Sequence, residues 1–217
     1  MEEKSKELEA QETPATETQA SAPEKKAAFF SRKNLKRNII LGASLVVVAA
    51  IIALVLTALS PKAVAKKYCL AVWNGDPAQE ARYLAYDGKA LIVSTVGDEE
   101  DFYEKVSEVN SEDIHSWNAY AKMMREKRRE DLEDEYGDYK ITANVTRVKD
   151  ISVRKLEEEA GWLYETIEKY GFDSDKIAAA KVVTVKMKLA GEDGTEKETI
   201  EVYMAKVGGL WKVVTTE

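Results

Sequence analysis

His115 and Cys69 are the chain's only histidine and only cysteine, so acid–base, nucleophilic or metal chemistry has few places to sit. General acid–base work needs a histidine or a carboxylate facing an apolar cavity, where burial tunes its pKa. His115 follows Ser111-Glu112-Asp113, expected to cap the next helix, and stands one residue after Ile114, a place expected at the surface. The strand-like segments offer acids such as Glu198 and Glu201 beside Lys186 and Lys188, which on outer faces predict cross-strand ion pairs. Two acidic runs, residues 98–101 and 130–138, carry the oxygen ligands that calcium takes. The first sits at a helix start, where carboxylates complement the helix dipole. The second follows the basic tract 122–129 and yields i,i+4 pairs such as Arg129 with Glu133, so both predict solvated helix faces rather than metal sites. Cys69 shares the apolar side of a predicted helix with Ala65 and Val72, as a core thiol, and a lone cysteine makes neither a disulfide framework nor a thiolate cluster. Asn144-Val145-Thr146 matches a glycosylation sequon, but it falls inside a predicted strand. No nucleophile with a partnered base, no glycine-rich phosphate loop and no metal-ligand spacing appears. The sequence thus nominates no catalytic, cofactor-binding or metal-binding residue and no cofactor, and it predicts a protein that is not an enzyme.

The elements that would position any site begin with an apolar run, Ile39 to Leu59, broken only by Gly42, Ser44 and Thr57. As a helix it would be roughly 30 Å long, the thickness of a bilayer's hydrocarbon core. Ala63-Val64-Ala65 resembles a signal-peptidase site, but the run is longer than a signal core and follows a polar segment, which favours a retained anchor. The organisation expected is a disordered cytoplasmic tail over residues 1–38, a transmembrane helix over 39–60 and an extracytoplasmic domain over 61–217. Orientation follows from Lys25, Lys26, Arg32, Lys33, Lys36 and Arg37 before the run against Lys62, Lys66 and Lys67 after it, because basic flanks stay in the cytoplasm. The tail is rich in Glu, Thr, Ala, Ser and Pro without apolar periodicity, a composition that cannot offset its ordering entropy.

Residues 61–217 hold 24 basic and 32 acidic side chains, a net charge of −8. Such a balance argues against nucleic-acid binding, which relies on neutralising phosphates. Ser60-Pro61 is a helix start running to about Trp73, and Asp76, Pro77 and Gln79 form a capping box for a second helix. Residues 88–97 read equally as a buried strand or a short helix. Phe102, Val106 and Val109, then Ile114, Trp117, Ala121 and Met124, keep helical spacing up to Gly137. Period two takes over at Ile141, Ala143 and Val145. Val153, Leu156, Ala160, Leu163, Ile167 and Tyr170 outline one more helix, in which Gly161 costs up to about 1 kcal/mol. The chain ends as a three-stranded antiparallel meander with one apolar face: Val183 to Leu189, Ile200 to Met204, and Leu210 to Thr215. On the last strand Trp211 and Val213 should face the helices, with Lys212 outward.

The order of helices first, "AVAKKYCLAVWNGDPAQEARYL", and then "VTVKMKLAGEDGTEKETIEVYMAKVGGLWKVV" resembles the nuclear transport factor 2-like (cystatin-like) superfamily, including its Gly-x-Trp-Lys-Val ending at Gly209 to Val213. The resemblance implies an α+β fold in which helices pack on a curved, cone-like antiparallel sheet. A long charged helical insertion before the first clear strand departs from the family's usual order. Three function classes follow. The leading one is a non-enzymatic, single-pass cell-envelope protein whose outer domain binds a partner protein or a small apolar ligand, or forms a homo-oligomer. A scaffold subunit of a type IV secretion or conjugation machine shares this layout, and some relatives in the superfamily are isomerases or cyclases.

Overall fold

The computed structural model describes residues 59–217. Ser60 has extended backbone, and its Oγ accepts the Ala63 N–H at 3.3 Å, with Pro61 at the first helical position. Helix α1 (Pro61–Trp73) therefore starts afresh at this cap instead of continuing the apolar run. That start is the one the sequence predicts; the expected fold class is corrected in its membrane-spanning part. The transmembrane helix placed over residues 39–60 and the tail over 1–38 lie outside the described residues, apart from Leu59 and Ser60 at the cap. Among the described residues no helix is long and apolar enough to cross a membrane.

Short helices α2 (Pro77–Tyr83) and α3 (Gly88–Ser94) follow, then α4 (Glu99–Asn110) and the 20-residue α5 (Trp117–Tyr136). Residues 88–97, open between strand and helix, are thus mostly α3. Asp87 caps that helix by accepting the Ala90 N–H at 2.9 Å, which gives the apolar stretch a helical start. Strand β1 (Lys140–Ile151) leads to α6 (Val153–Ala160) and α7 (Trp162–Glu168), and the chain closes with β2 (Ile177–Ala190), β3 (Thr195–Val207) and β4 (Leu210–Thr216). The sheet is antiparallel throughout, in the order β1-β2-β3-β4.

Three local departures from the sequence expectation have identifiable causes. β1 continues past Thr146 because a register shift between Val145 and Arg147 restores Val148 to the inner face, where a strict alternation would have put it outside. The single helix expected over 153–170 is two, because Gly161 takes φ +51°, a left-handed conformation that ends α6. The meander is four-stranded, since β1 pairs along β2 from Lys140 opposite Ala190 to Ile151 opposite Ala180.

The larger correction concerns the sheet's faces. Val183, Val185, Met187 and Leu189 of β2, with Val202 and Met204 of β3 and Val213 of β4, pack against α1 and against Leu132 of α5. On the opposite face Val182, Tyr203, Ala205 and Val214 pack against Leu156, Ala160 and Ile167 of α6–α7. Four consecutive β3 residues, Val202 to Ala205, are consequently buried. The described residues form an α+β arrangement with a four-stranded antiparallel sheet as a middle layer. The expected meander with one apolar face is replaced by a sheet that packs on both, because the β1–β2 connection crosses the second face. A satellite core of Val93, Phe102, Tyr103, Ile114 and Met123 joins α3, α4 and α5.

Candidate functional site

A concave feature with an apolar floor lies at the corner where α1, α2 and α5 meet. The chain leaves α1 through Asn74-Gly75, and Gly75 takes φ +61°, where a Cβ would lie 2.7 Å from the Cβ of Arg128. Glycine is required there both by the backbone and by the close approach of α5. Asp76 then caps α2, its Oδ1 accepting the Gln79 N–H at 3.0 Å, as the capping-box spacing predicts. Its other oxygen accepts from Arg125 Nη1 at 3.1 Å. Asp76 is the buried charged residue of the described core, at 7 % exposure, and a buried carboxylate requires such partners. One turn along α5, Arg128 Nε donates to the Trp73 carbonyl at 3.4 Å, so two arginines fasten α5 to the α1–α2 corner.

This frame supports a groove of about 480 Å³ lined by Leu70, Ala71 and Tyr83 and rimmed by Lys67, Asn74, Gln79 and Arg125. A second hollow of about 390 Å³, sharing Asn74 and Arg125, adjoins it along α5 toward Tyr139. An apolar floor with a few convergent polar groups at the rim is the general form of a ligand or peptide site.

Nearby, burial pushes up the Glu80 carboxyl, and a hydrogen bond with the Tyr68 hydroxyl partly opposes it. Burial and the same carboxylate push up Tyr68, and likewise raise Tyr86 to about 12. Among the described residues Glu80 is the carboxylic acid whose pKa burial raises. Glu80 does not line the groove, so nothing places a substrate against it. Sequence reasoning passed over Glu80, Arg125 and Arg128. Glu80 reads as an ordinary first-turn acid, and Arg125 lies 49 residues from its partner inside a tract that resembles a solvated face.

His115 is placed as the sequence predicts. It is exposed, with Nε2 2.5 Å from Asp113 Oδ1, itself exposed. It edges an open groove with Tyr103 and Ser107, but the Ser107 hydroxyl is engaged by Ile114, accepting from its N–H at 3.0 Å and donating to its carbonyl at 3.1 Å. No activated serine results. In the first acidic run Asp98 caps α4 by accepting the N–H groups of Glu100 and Asp101, and Glu99 pairs with Lys89 at 2.7 Å. In the second, Arg129 pairs with Glu133 at 3.5 Å. Among the described residues no cluster of three or more potential metal ligands occurs. Cys69 is 1 % exposed and burial pushes its thiol up to about 12, which suits packing and suppresses thiolate reactivity.

The strand acids are arranged differently from expectation. Glu198 stands opposite Met187, on the α1 side of the sheet, where it is itself exposed. Glu201 lies on the second face, but it accepts from Tyr203 Oη at 3.2 Å and Thr184 Oγ1 at 3.5 Å. The predicted ion pairs to Lys186 and Lys188 do not form, because Thr199 and Lys197 are the residues opposite those lysines. Lys212 also turns out differently. Its Nζ donates to the Arg82 carbonyl at the end of α2, 2.6 Å away, and burial lowers its pKa. Trp211 does share the α1-side face with Val213, but it is only half-buried, with Lys181 Nζ 5.5 Å from its ring centre.

Comparisons with family models, with curated proteins and with solved structures found no match for the chain.

Proposed function

We propose that the described part of the chain is a non-enzymatic binding domain, acting at the outer side of the cell membrane. Its corner groove takes an apolar segment of a partner protein or a small apolar ligand. The observation that carries this reading is the groove floor of Leu70, Ala71 and Tyr83, framed by the Asp76–Arg125 and Arg128–Trp73 ties. The location is supported by sequence alone, through the basic residues before the apolar run and their scarcity after it. Kinship with nuclear transport factor 2-like domains belongs to the same reading, supported by helices preceding an antiparallel sheet.

The groove is tested with an environment-sensitive apolar dye titrated into the full chain and into Leu70→Lys. Saturable binding weakened at least about tenfold in the variant, with unchanged circular dichroism, supports it. Equal binding by both proteins removes the groove from the function. For the location, protease added to intact cells should digest the described domain; full protection would overturn it.

The scaffold reading is favoured by a separate observation. Trp162, first residue of α7, is 80 % exposed, and Val109 of α4 is 70 % exposed. Exposed tryptophan is the residue type most enriched at interface hot spots, and contact points away from the groove suit a subunit with several neighbours. Trp162→Ala should leave the melting temperature unchanged and weaken copurification of a solubilised complex.

A further inference from the structure

The half of the sheet's second face that α6 and α7 leave bare is basic, although residues 61–217 carry a net charge of −8. Its cross-strand rows run Thr142–Lys188–Lys197 and Asn144–Lys186–Thr199, and all six side chains are exposed. Lys188 stands directly opposite Lys197, an arrangement that repels and destabilises a sheet. Among the described residues no carboxylate lies within ion-pair distance of these three lysines. A shallow depression of about 380 Å³ lies between them, with Glu198 at its rim.

The other side of the same sheet end carries the opposite charge. Leu132 anchors the C-terminal half of α5 under the sheet, and Tyr136 meets the β2–β3 turn, its carbonyl accepting the Asp193 N–H at 3.3 Å. Around Leu132 the helix exposes Glu130, Asp131, Glu133, Asp134 and Glu135, with no basic residue between Arg129 and Lys140. Of these acids only Glu133 is ion-paired among the described residues. The sheet itself separates the two patches, so the acids of α5 do not pair with the lysines of their own molecule.

We propose that the lysine face is a docking surface for a second copy of this chain, which presents the acidic end of α5. The contact joins two different patches and is therefore head-to-tail, so a bound copy still offers its own lysine face to a third. Exposed ion pairs are individually weak and screened by salt. Association is therefore concentration-dependent, strong enough to see near low ionic strength and lost at about 0.5 M salt. The inference is independent of the groove, since none of these residues lines it.

The test uses the full chain in non-ionic detergent, as a mixture of ordinary and nitrogen-15-labelled protein, treated at low salt with a zero-length carbodiimide that joins touching amines and carboxylates. Mixed-isotope peptides linking Lys186, Lys188 or Lys197 to the acids of residues 130–135 are expected. Sedimentation of Lys186→Glu/Lys188→Glu and of Glu133→Lys/Glu135→Lys should show each variant monomeric, and their equimolar mixture associating again. That restoration separates a lost contact from misfolding. A wild-type chain that stays monomeric at low salt overturns the proposal, as does failure of the mixture to associate. Binding of the lysine face to phosphatidylglycerol vesicles by a chain that remains monomeric also overturns it, in favour of a lipid surface.

Discussion

The core under the sheet and the satellite core of α3, α4 and α5 are built on different principles. Under the sheet, Leu132, Met187, Leu189, Val183, Val185, Val202, Met204 and Val213 are at most 1 % exposed, and they meet only because strands and helices far apart in sequence pair and pack. The satellite relies on aromatic edges: Phe102 meets Tyr120 at 5.1 Å and Tyr103 at 5.4 Å, both near-perpendicular. Its elements are consecutive in sequence, and no strand enters it. Cooperative stability is therefore expected to reside in the sheet, and the satellite to open more readily. α5 belongs to both, through Met123 at one end and Leu132 at the other.

Breaking the first core should have the largest effect. Leu132→Ala is expected to cost about 2–5 kcal/mol, since Leu132 is 1 % exposed and leaves a cavity that rigid strands cannot fill. Against a total of roughly 5–15 kcal/mol, chemical denaturation should show a strongly lowered midpoint. Phe102→Ala should stay below the roughly 3–5 kcal/mol usual for a core phenylalanine, because the satellite opens locally. Hydrogen exchange should speed up in α3 and α4 while β2 and β3 stay protected. Equal loss of protection in the sheet would erase the distinction between the cores.

Trp211→Ala should cost about 1–2 kcal/mol, the fraction of a full burial that a half-buried ring retains. Asp76→Ala removes the α2 cap and the tie between the two regions, at about 1 kcal/mol, and it should also weaken binding in the groove.

The smallest effect is a pH dependence. Burial raises Glu80 in the folded state above its reference value of 4.5. Below that reference the group is protonated folded or unfolded, and it contributes nothing. As pH climbs from 4.5 through the folded pKa, the native state comes to hold an unfavourable buried charge, so stability is lost on going up in pH. Glu80→Gln should match the wild type near about pH 4 and melt progressively higher than it toward neutrality. A constant difference across that range would show that Glu80 is not desolvated.

Much of the local structure was legible. Ser60-Pro61 and Asp76 with Gln79 each gave a helix start, because a capping side chain bonds a backbone N–H about three residues away, and the acidic run from Asp98 marked a third through the helix dipole. Period two over Ile141 to Val145 and Val183 to Leu189 marked strands. The site was legible only in its cap: Asp76 could be named, but not the arginines that neutralise it.

What the residues determine unaided is whatever acts over one helical turn or one strand repeat: caps, periodicity, the charge of −8, the buried fate of Cys69. Only the tertiary structure decided that α6 and α7 cover half of the sheet's second face. It also decided that Glu198 lies on the α1 side of the sheet, that Lys188 meets Lys197 instead of an acid, and that Arg125 reaches Asp76. Those outcomes depend on strand register and on the route of a connection. A shift of one residue in register turns every side chain to the other face, and no short-range pattern in the chain specifies which partner then stands opposite.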